Sequence, residues 1–453
     1  MLRDIKQNKL FYSLITIGLF LSFAFNVFGA VTSESFKLNF KDSEALVSNQ
    51  IVCKNGLFNG QLLEPKGESS GVVSTCAGSN LAPYSSQFGL QGKILGFGYQ
   101  LVDTVASGFS TSVFIALSQL LTAFLSAALF ALLIVWVKTK YGTTVAILTF
   151  AFIALSPMLV GFGRNLYWAL PLMIAPFIFS IYYYRPDLKP RLKIAFWVIL
   201  GTLFYLRYLT GYEYITTLTI MVFAAVAYTL YINKVQLKNY IQAAGLVLGV
   251  SVVAFCMAMA THIGALTIYT GSVHASIQKI TQRAEERTIN GGDYTHYPYG
   301  NLKAIAPSFY EATDEYVNYE KRMDSGSLVL ATLVSAMTYL LIPVIHLPIE
   351  LNQSLGLYVQ STVVFVIILG ILFVTRKKWL PPKMIRDIEA LYVGLSIGIV
   401  GYLSWLVLAF SHSLVHAHIN GILLYLPTAL FGFIILAIFI HQGVVRLKRK
   451  RTS

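Results

Sequence analysis

The sequence predicts an all-α fold, a polytopic transmembrane helical bundle of about ten spans with long outer loops. Three observations carry that prediction. Of the 453 residues, 56% are hydrophobic and only 12% charged, with a mean hydropathy of +0.65. Apolar runs of the roughly 20 residues that a bilayer core requires recur along the chain. The Lys and Arg residues sit in short clusters beside those runs instead of along one polar face. The formal charge of +14 therefore reads as topology, and nucleic acid is not an expected partner.

Taken in order, the spans fall near 11–31, 109–137, 142–163, 166–183, 194–210, 213–232, 241–261, 357–375, 389–410 and 421–442. Arg3, Lys6 and Lys9, then Lys138 and Lys140, Arg185 to Lys193, Lys234 and Lys238, Arg376 to Arg386 and the tail "RLKRKRTS" all fall on one side. The positive-inside rule makes that side cytoplasmic and places both termini there. The apolar run 327–349 does not fit as a simple crossing, because it would turn the basic tail outward. Pro343 and Pro348 favour an interrupted helix, either re-entrant, interfacial or buried in the outer domain, with a crossing offset by a further span as the alternative. The chain divides into a tip and first span (1–31), a first outer loop (32–108), a bundle (109–261), an outer cap (262–356), C-terminal spans (357–442) and a basic tail (443–453).

The first run reads as a retained anchor, since Phe28 is too bulky for the small-residue site that signal cleavage needs. In the loop that follows, Cys53 and Cys76 are candidates for a disulfide in an oxidising compartment, with two free thiols as the alternative. Cys256 sits within a span as a small apolar residue. Residues 83–105 interleave aromatic side chains with Gly, Ser and Gln, as suits a segment lying in the headgroup region. Residues 262–326 balance acids against bases and carry many tyrosines, enough chain for a small cap.

No P-loop, Rossmann glycine pattern, His-Glu-x-x-His or Cys-x-x-Cys motif is present, which removes support for ATP-driven, nicotinamide and zinc-peptidase chemistry. The polar candidates gather on the outer side. Glu34, Asp42 and Glu44 follow the first span, and a carboxylate held at the membrane surface can take a proton from an incoming hydroxyl. Arg164 and Asn165 form the tight turn "GRNLYW", where an outward Arg runs against the charge bias and suits an anion. Arg207 and Glu213 flank the turn of "RYLTGYEYI" with Tyr212 between them, and both are expected to reach the outer surface. There Arg207 would pair with a phosphate and Glu213 would act as acid or base; the competing reading is an ion pair that staples the hairpin. In "SHSLVHAHING", His412, His416 and His418 suit hydrogen bonding to sugar or phosphate, and no nearby Cys or acid completes a metal site. His296 and the tyrosines around it could line a carbohydrate face.

The long first outer loop with an acidic residue soon after span one, the polar outer turns and the outer cap resemble the GT-C class of integral-membrane glycosyltransferases. "YSSQFGLQG", "GRNLYW", "RYLTGYEYI" and "HSLVHAHIN" also look like stretches of bacterial membrane proteins associated with surface-polysaccharide synthesis. The resemblance implies transfer of a sugar from a polyprenyl-phosphate donor to a glycan or lipid acceptor at the outer face of a bacterial inner membrane. It implies an acid of the first outer loop as base, a position that Glu34 matches, and basic residues on the donor phosphate. The paired acidic motif frequent in the class is missing, since serine lies on either side of Glu34. Asp42, Glu44 and Glu213 therefore stay candidates. The cofactor is unassigned; a divalent metal is compatible with the sequence and not required by it. A transporter or lipid-linked glycan flippase is the rival from another class, and a polysaccharide polymerase or ligase the nearer alternative.

Overall fold

The structure, a computed structural model, describes residues 1–32, 36, 41–53, 62–65, 76, 81–285, 328–346 and 360–452. The chain is a helical membrane protein. A short helix α1 (Leu2–Gln7) leads into α2 (Lys9–Phe25), which packs along the 31-residue α5 (Thr111–Tyr141). The bundle continues with α6 (Thr143–Ala154), α7 (Pro157–Gly163), α8 (Leu170–Tyr183), α9 (Pro190–Thr210), α10 (Ile215–Ile232) and α11 (Leu237–Thr270). After the short α12 (Val273–Glu285) come α13 (Leu328–Leu341), α14 (Thr362–Trp379) and α15 (Pro382–Leu408). Three short pieces, α16 (Phe410–Val415), α17 (Ala417–Asn420) and α18 (Ile422–Leu424), precede a π-helical turn at 425–429 and the final α19 (Leu430–Thr452).

Among the described residues six helices are long and apolar enough to cross a membrane, or seven if α6 and α7 form one span bent by 71°. Other apolar runs form shorter helices, among them α2 and α8, and several runs are interrupted. The first ends at Asn26, which turns left-handed at φ 53° and whose amide side chain bonds Val31. The run at 142–163 breaks at Ser156 before Pro157: Ser156 caps α7 by accepting from the Leu159 N–H at 3.4 Å, and proline starts the new helix. The run at 166–183 spends its first residues in a turn and becomes helical only at Leu170. Within 327–349, α13 has 14 residues, about 21 Å of helix against a core of about 30 Å. It ends where Pro343 pairs with Ser361, and 347–349 lie outside the described residues.

Small residues let the helices close on one another. Gly401 of α15 sits against Ile220 and Thr217 of α10, and its carbonyl accepts from Thr217 Oγ1 at 2.7 Å. Gly394 and Gly398 of α15 face Phe431 and Thr428 in the same way. Such close approach adds dispersion contact where water offers no hydrophobic drive. The basic clusters meet at one end of the bundle. Arg376 pairs with Glu389 at 3.0 Å, Arg386 donates to Tyr231 O, and Arg446 donates to Lys378 O.

At the opposite end the first loop is folded. It contains α3 (Lys41–Val52), an antiparallel pair β1 (Leu63–Pro65) and β2 (Leu81–Pro83), and α4 (Leu90–Val105). Cys53 and Cys76 form a disulfide. The expected interfacial segment is the helix α4, with Gln91, Lys93 and Tyr99 turned inward while Ile94, Phe97, Leu101 and Val105 are exposed. Arg283 of α12 pairs with Glu64 of β1 at 2.9 Å and ties the second outer region to the first. His296 and the rest of the cap from 286 to 327 lie outside the described residues.

Gly163 tests the contact between α2 and the bend. A Cβ there would lie 2.6 Å from Phe23 Cβ and Cγ, and Phe23 is fully buried. Gly163→Ala is expected to cost about 1–3 kcal/mol through overpacking, read as a lower midpoint in thermal unfolding of detergent-purified protein. An unchanged midpoint would mean that the two helices are not in this register.

Candidate functional site

The end of the bundle away from the basic clusters carries two polar turns held side by side. The first is 164–168. Asn165 Oδ1 accepts from the N–H groups of Tyr167 and Trp168, both at 3.0 Å, and this fixes a tight turn between α7 and α8. The turn leaves the Leu166 N–H free to donate to Glu44 Oε1 at 2.9 Å. Gln119 of α5 donates to the other carboxylate oxygen at 3.0 Å. Arg164 stands beside this carboxylate, donating to Phe36 O at 2.9 Å with its guanidinium 4.0 Å above the Phe36 ring. Burial raises the Glu44 pKa above the ordinary carboxylate value, against the opposing pull of the Leu166 and Gln119 bonds and the Arg164 charge. Burial lowers the Arg164 pKa, and Glu44 opposes that shift.

The second turn joins α9 to α10. Arg207 and Glu213 are each only 2% exposed, so the expectation that both reach the surface does not hold. Arg207 bends back on its own chain: its guanidinium donates to Thr210 Oγ1 at 2.6 Å and to the carbonyls of Gly211 and Glu213 at 3.2 Å. These acceptors lie at and just beyond the end of α9, where the backbone has left the helix and needs other donors. The Glu213 carboxylate faces the first turn instead. The Tyr167 hydroxyl lies 3.3 Å from Glu213 Oε1 and 3.2 Å from Gln87 Oε1. Gln91 Nε2 joins the turns by donating to Tyr167 O at 2.8 Å and Thr210 O at 3.1 Å. Glycine at 211 leaves room for both side chains, since a Cβ would lie 2.5 Å from Gln87 Oε1 and 2.6 Å from Glu213 Oε2 and would make them shift.

An aromatic row runs from the first turn toward the C-terminal outer loop. Trp168 stacks on Tyr214 at 5.3 Å, Tyr214 meets Trp405 at 5.2 Å, and Trp405 leads to His412 and then His416. Tyr212 turns the other way, its ring 5.7 Å from that of His262. The structure thus brings Glu44, Arg164 and Asn165 together and places Arg207, Tyr212 and Glu213 on the adjoining turn. Glu34 and the side chains of Asp42 and His418 lie outside the described residues. Gln87, Gln91, Lys93, Gln119, Tyr167 and His262 were not singled out from the sequence. The two glutamines in the aromatic segment 83–105 were the available signal. Among the described residues no group of three or more His, Cys, Asp or Glu side chains is placed to hold a metal ion. No family model, curated protein or solved structure matches the chain, so the chemistry of the site rests on its own geometry.

The two arginines should behave differently on removal. Arg207→Met strips the donor from two buried carbonyls and removes the cation that interacts with Glu213, an expected cost of about 3–5 kcal/mol. Arg164→Met, at a partly exposed site, is expected to cost about 1 kcal/mol or less. Thermal unfolding midpoints of the two purified variants check this, and equal midpoints would contradict the geometry.

Proposed function

We propose that the protein is a membrane glycosyltransferase that moves a sugar from a polyprenyl-phosphate donor to a glycan or lipid acceptor. In this reading the basic end is cytoplasmic, both termini lie there, and the reaction takes place at the outer face of a bacterial inner membrane. The observation that carries it is the meeting of Glu44 with the 164–166 turn, which sets a first-loop carboxylate beside Arg164 at 2.9 Å from the Leu166 N–H. Such a group has what a base at this position needs: a fixed orientation and a pKa raised by burial toward working pH.

Glu44 accepts the proton of the acceptor hydroxyl as that oxygen bonds to the anomeric carbon. The bond from the same carbon to the phosphate oxygen breaks, and its electron pair leaves with the phosphate. Gln119 and Leu166 hold the carboxylate, while Arg164 keeps its ionised form accessible. Arg207 is a positioning residue that closes the neighbouring turn, and Glu213 and Gln87 both hold the Tyr167 hydroxyl in place. His412 and His416 end the aromatic row as hydrogen-bonding groups for the sugar or acceptor. No step requires a divalent cation. A flippase would call for charge along a path through the bundle. Among the described residues the fully buried charged side chains are Lys93, Arg207 and Glu213, all at one end.

Glu44→Gln is expected to lower the transfer rate about 10²–10⁴-fold while leaving the unfolding midpoint close to wild type, since the amide oxygen keeps the Leu166 bond and the amide NH2 can donate to Gln119 once that side chain turns its oxygen inward. In the wild-type enzyme the rate should rise with pH as Glu44 loses its proton, with the midpoint above the ordinary carboxylate range because burial disfavours the charged form. Transfer from a polyprenyl-phosphate sugar at wild-type rate by Glu44→Gln would sink the assignment.

A further inference from the structure

The reaction proposed above uses the end of the bundle where the polar turns lie, and the opposite end, where the basic clusters meet, has no part in it. That end holds a pocket of about 540 Å³ between the turn joining α10 to α11 and the start of α15. Tyr231, Tyr240 and Ile385 line it together with Lys234, Arg386 and Glu389. Further along, α11 and α15 carry exposed apolar residues, Ile241 and Leu248 on the first and Val400 and Leu403 on the second. The pocket therefore sits at helix ends where apolar faces give way to basic residues and tyrosines, the level of a membrane–water interface.

Its polar groups are those that recognise an anion. Glu389 is occupied by two neighbours, Arg376 at 3.0 Å and the Tyr231 hydroxyl at 3.0 Å. Arg386 donates from Nη2 to Tyr231 O at 2.9 Å, while its buried Nε has no hydrogen-bond acceptor. A buried donor in that state is among the exceptions that call for an absent ligand or water. Among the described residues neither Arg386 nor Lys234 forms an ion pair with a carboxylate. Asp387 offsets part of the Arg386 charge, but from outside the wall of the pocket.

Lys234 is held there against a backbone preference. It is left-handed at φ 56°, in a turn that the Val235 N–H closes on Leu230 O at 3.3 Å. Glycine is the usual residue after a helix in that conformation. A lysine in its place, in the wall of a pocket that Arg386 shares, points to a use for its charge. The two cations offer contacts to an anion, and Ile385 with the tyrosines adds an apolar wall. A free inorganic anion has no use for that wall, whereas a phosphate joined to a glycerol ester uses both.

We propose that this pocket binds the phosphate of an anionic phospholipid, with Arg386 and Lys234 as its partners. Basic pockets between membrane helices are the setting in which such head groups are held. The inference does not rest on the transferase reading. The test uses full-length protein in nonionic detergent, with thermal unfolding followed as dioleoyl phosphatidylglycerol, dioleoyl phosphatidylcholine or glycerol phosphate is added. Phosphatidylglycerol is expected to raise the midpoint and phosphatidylcholine to leave it in place. Arg386→Gln and Lys234→Gly should each weaken the apparent affinity for phosphatidylglycerol about fivefold or more. Glycine suits the left-handed backbone, so the second variant loses the charge and keeps the fold. Lys234→Arg should retain wild-type affinity. Lys193→Gln, which removes an exposed charge outside the pocket, should bind as wild type does. Affinity for phosphatidylglycerol that is equal in wild type and in Lys234→Gly overturns the proposal. An equal loss in Lys193→Gln overturns it too, since the attraction would then be diffuse. Glycerol phosphate that binds through Arg386 and Lys234 as tightly as the lipid overturns the lipid and assigns the site to a soluble phosphate.

Discussion

A backbone that stops being helical in or beside a bilayer must find its hydrogen bonds inside the protein, because hydrocarbon offers none. This chain stops several times, and each stop is sealed by a named group. At the bend between α6 and α7, Ser22 Oγ donates to Ala154 O and the His346 N–H donates to Leu155 O. At 164–168 the seal is Asn165, and at 207–213 it is Arg207 with Gln91. Near the C-terminal break the Tyr425 hydroxyl donates to Pro343 O at 2.7 Å. The polar side chains that sealing demands collect where the breaks collect, at the end away from the basic clusters. A candidate site there follows from the same constraint that shapes the fold.

The two acidic residues of that end show how environment separates roles. Glu213 is closed in by Gln87, Tyr167 and the backbone of its own turn, and is almost without exposure. Glu44 lies on α3 in the loop after the first helix, receives one backbone and one side-chain donor, and remains partly exposed. The first arrangement favours a fixed contact, the second a carboxylate that an acceptor can approach. The arginines divide in parallel. Arg207 spends its guanidinium on carbonyls of its own hairpin, whereas Arg164 lies flat on Phe36 and adds its charge to the field at Glu44.

Much of the fold was legible because it follows from composition. Apolar runs of bilayer length, and basic residues beside them, point to helices and to a common basic end whatever packs against what. The breaks were harder to read. Ser156-Pro157 announces one locally, while the turn that occupies the start of 166–183 depends on Asn165 capping Tyr167 and Trp168. The site was legible in part: "GRNLYW" and "RYLTGYEYI" stood out as polar turns, but the depth of Arg207 and Glu213 did not, since local sequence carries no information about what lies above a turn. Gln91 covers them from a helix more than a hundred residues away.

By itself the sequence determined that this chain is a helical membrane protein with polar turns, since hydropathy and charge act residue by residue. Only the tertiary structure decided which polar groups share a site. Glu44 meets Leu166, Tyr167 meets Glu213, and Gln91 meets Thr210 because segments distant in sequence pack side by side. Electrostatics inside such a bundle falls off with distance in space and takes no account of separation along the chain.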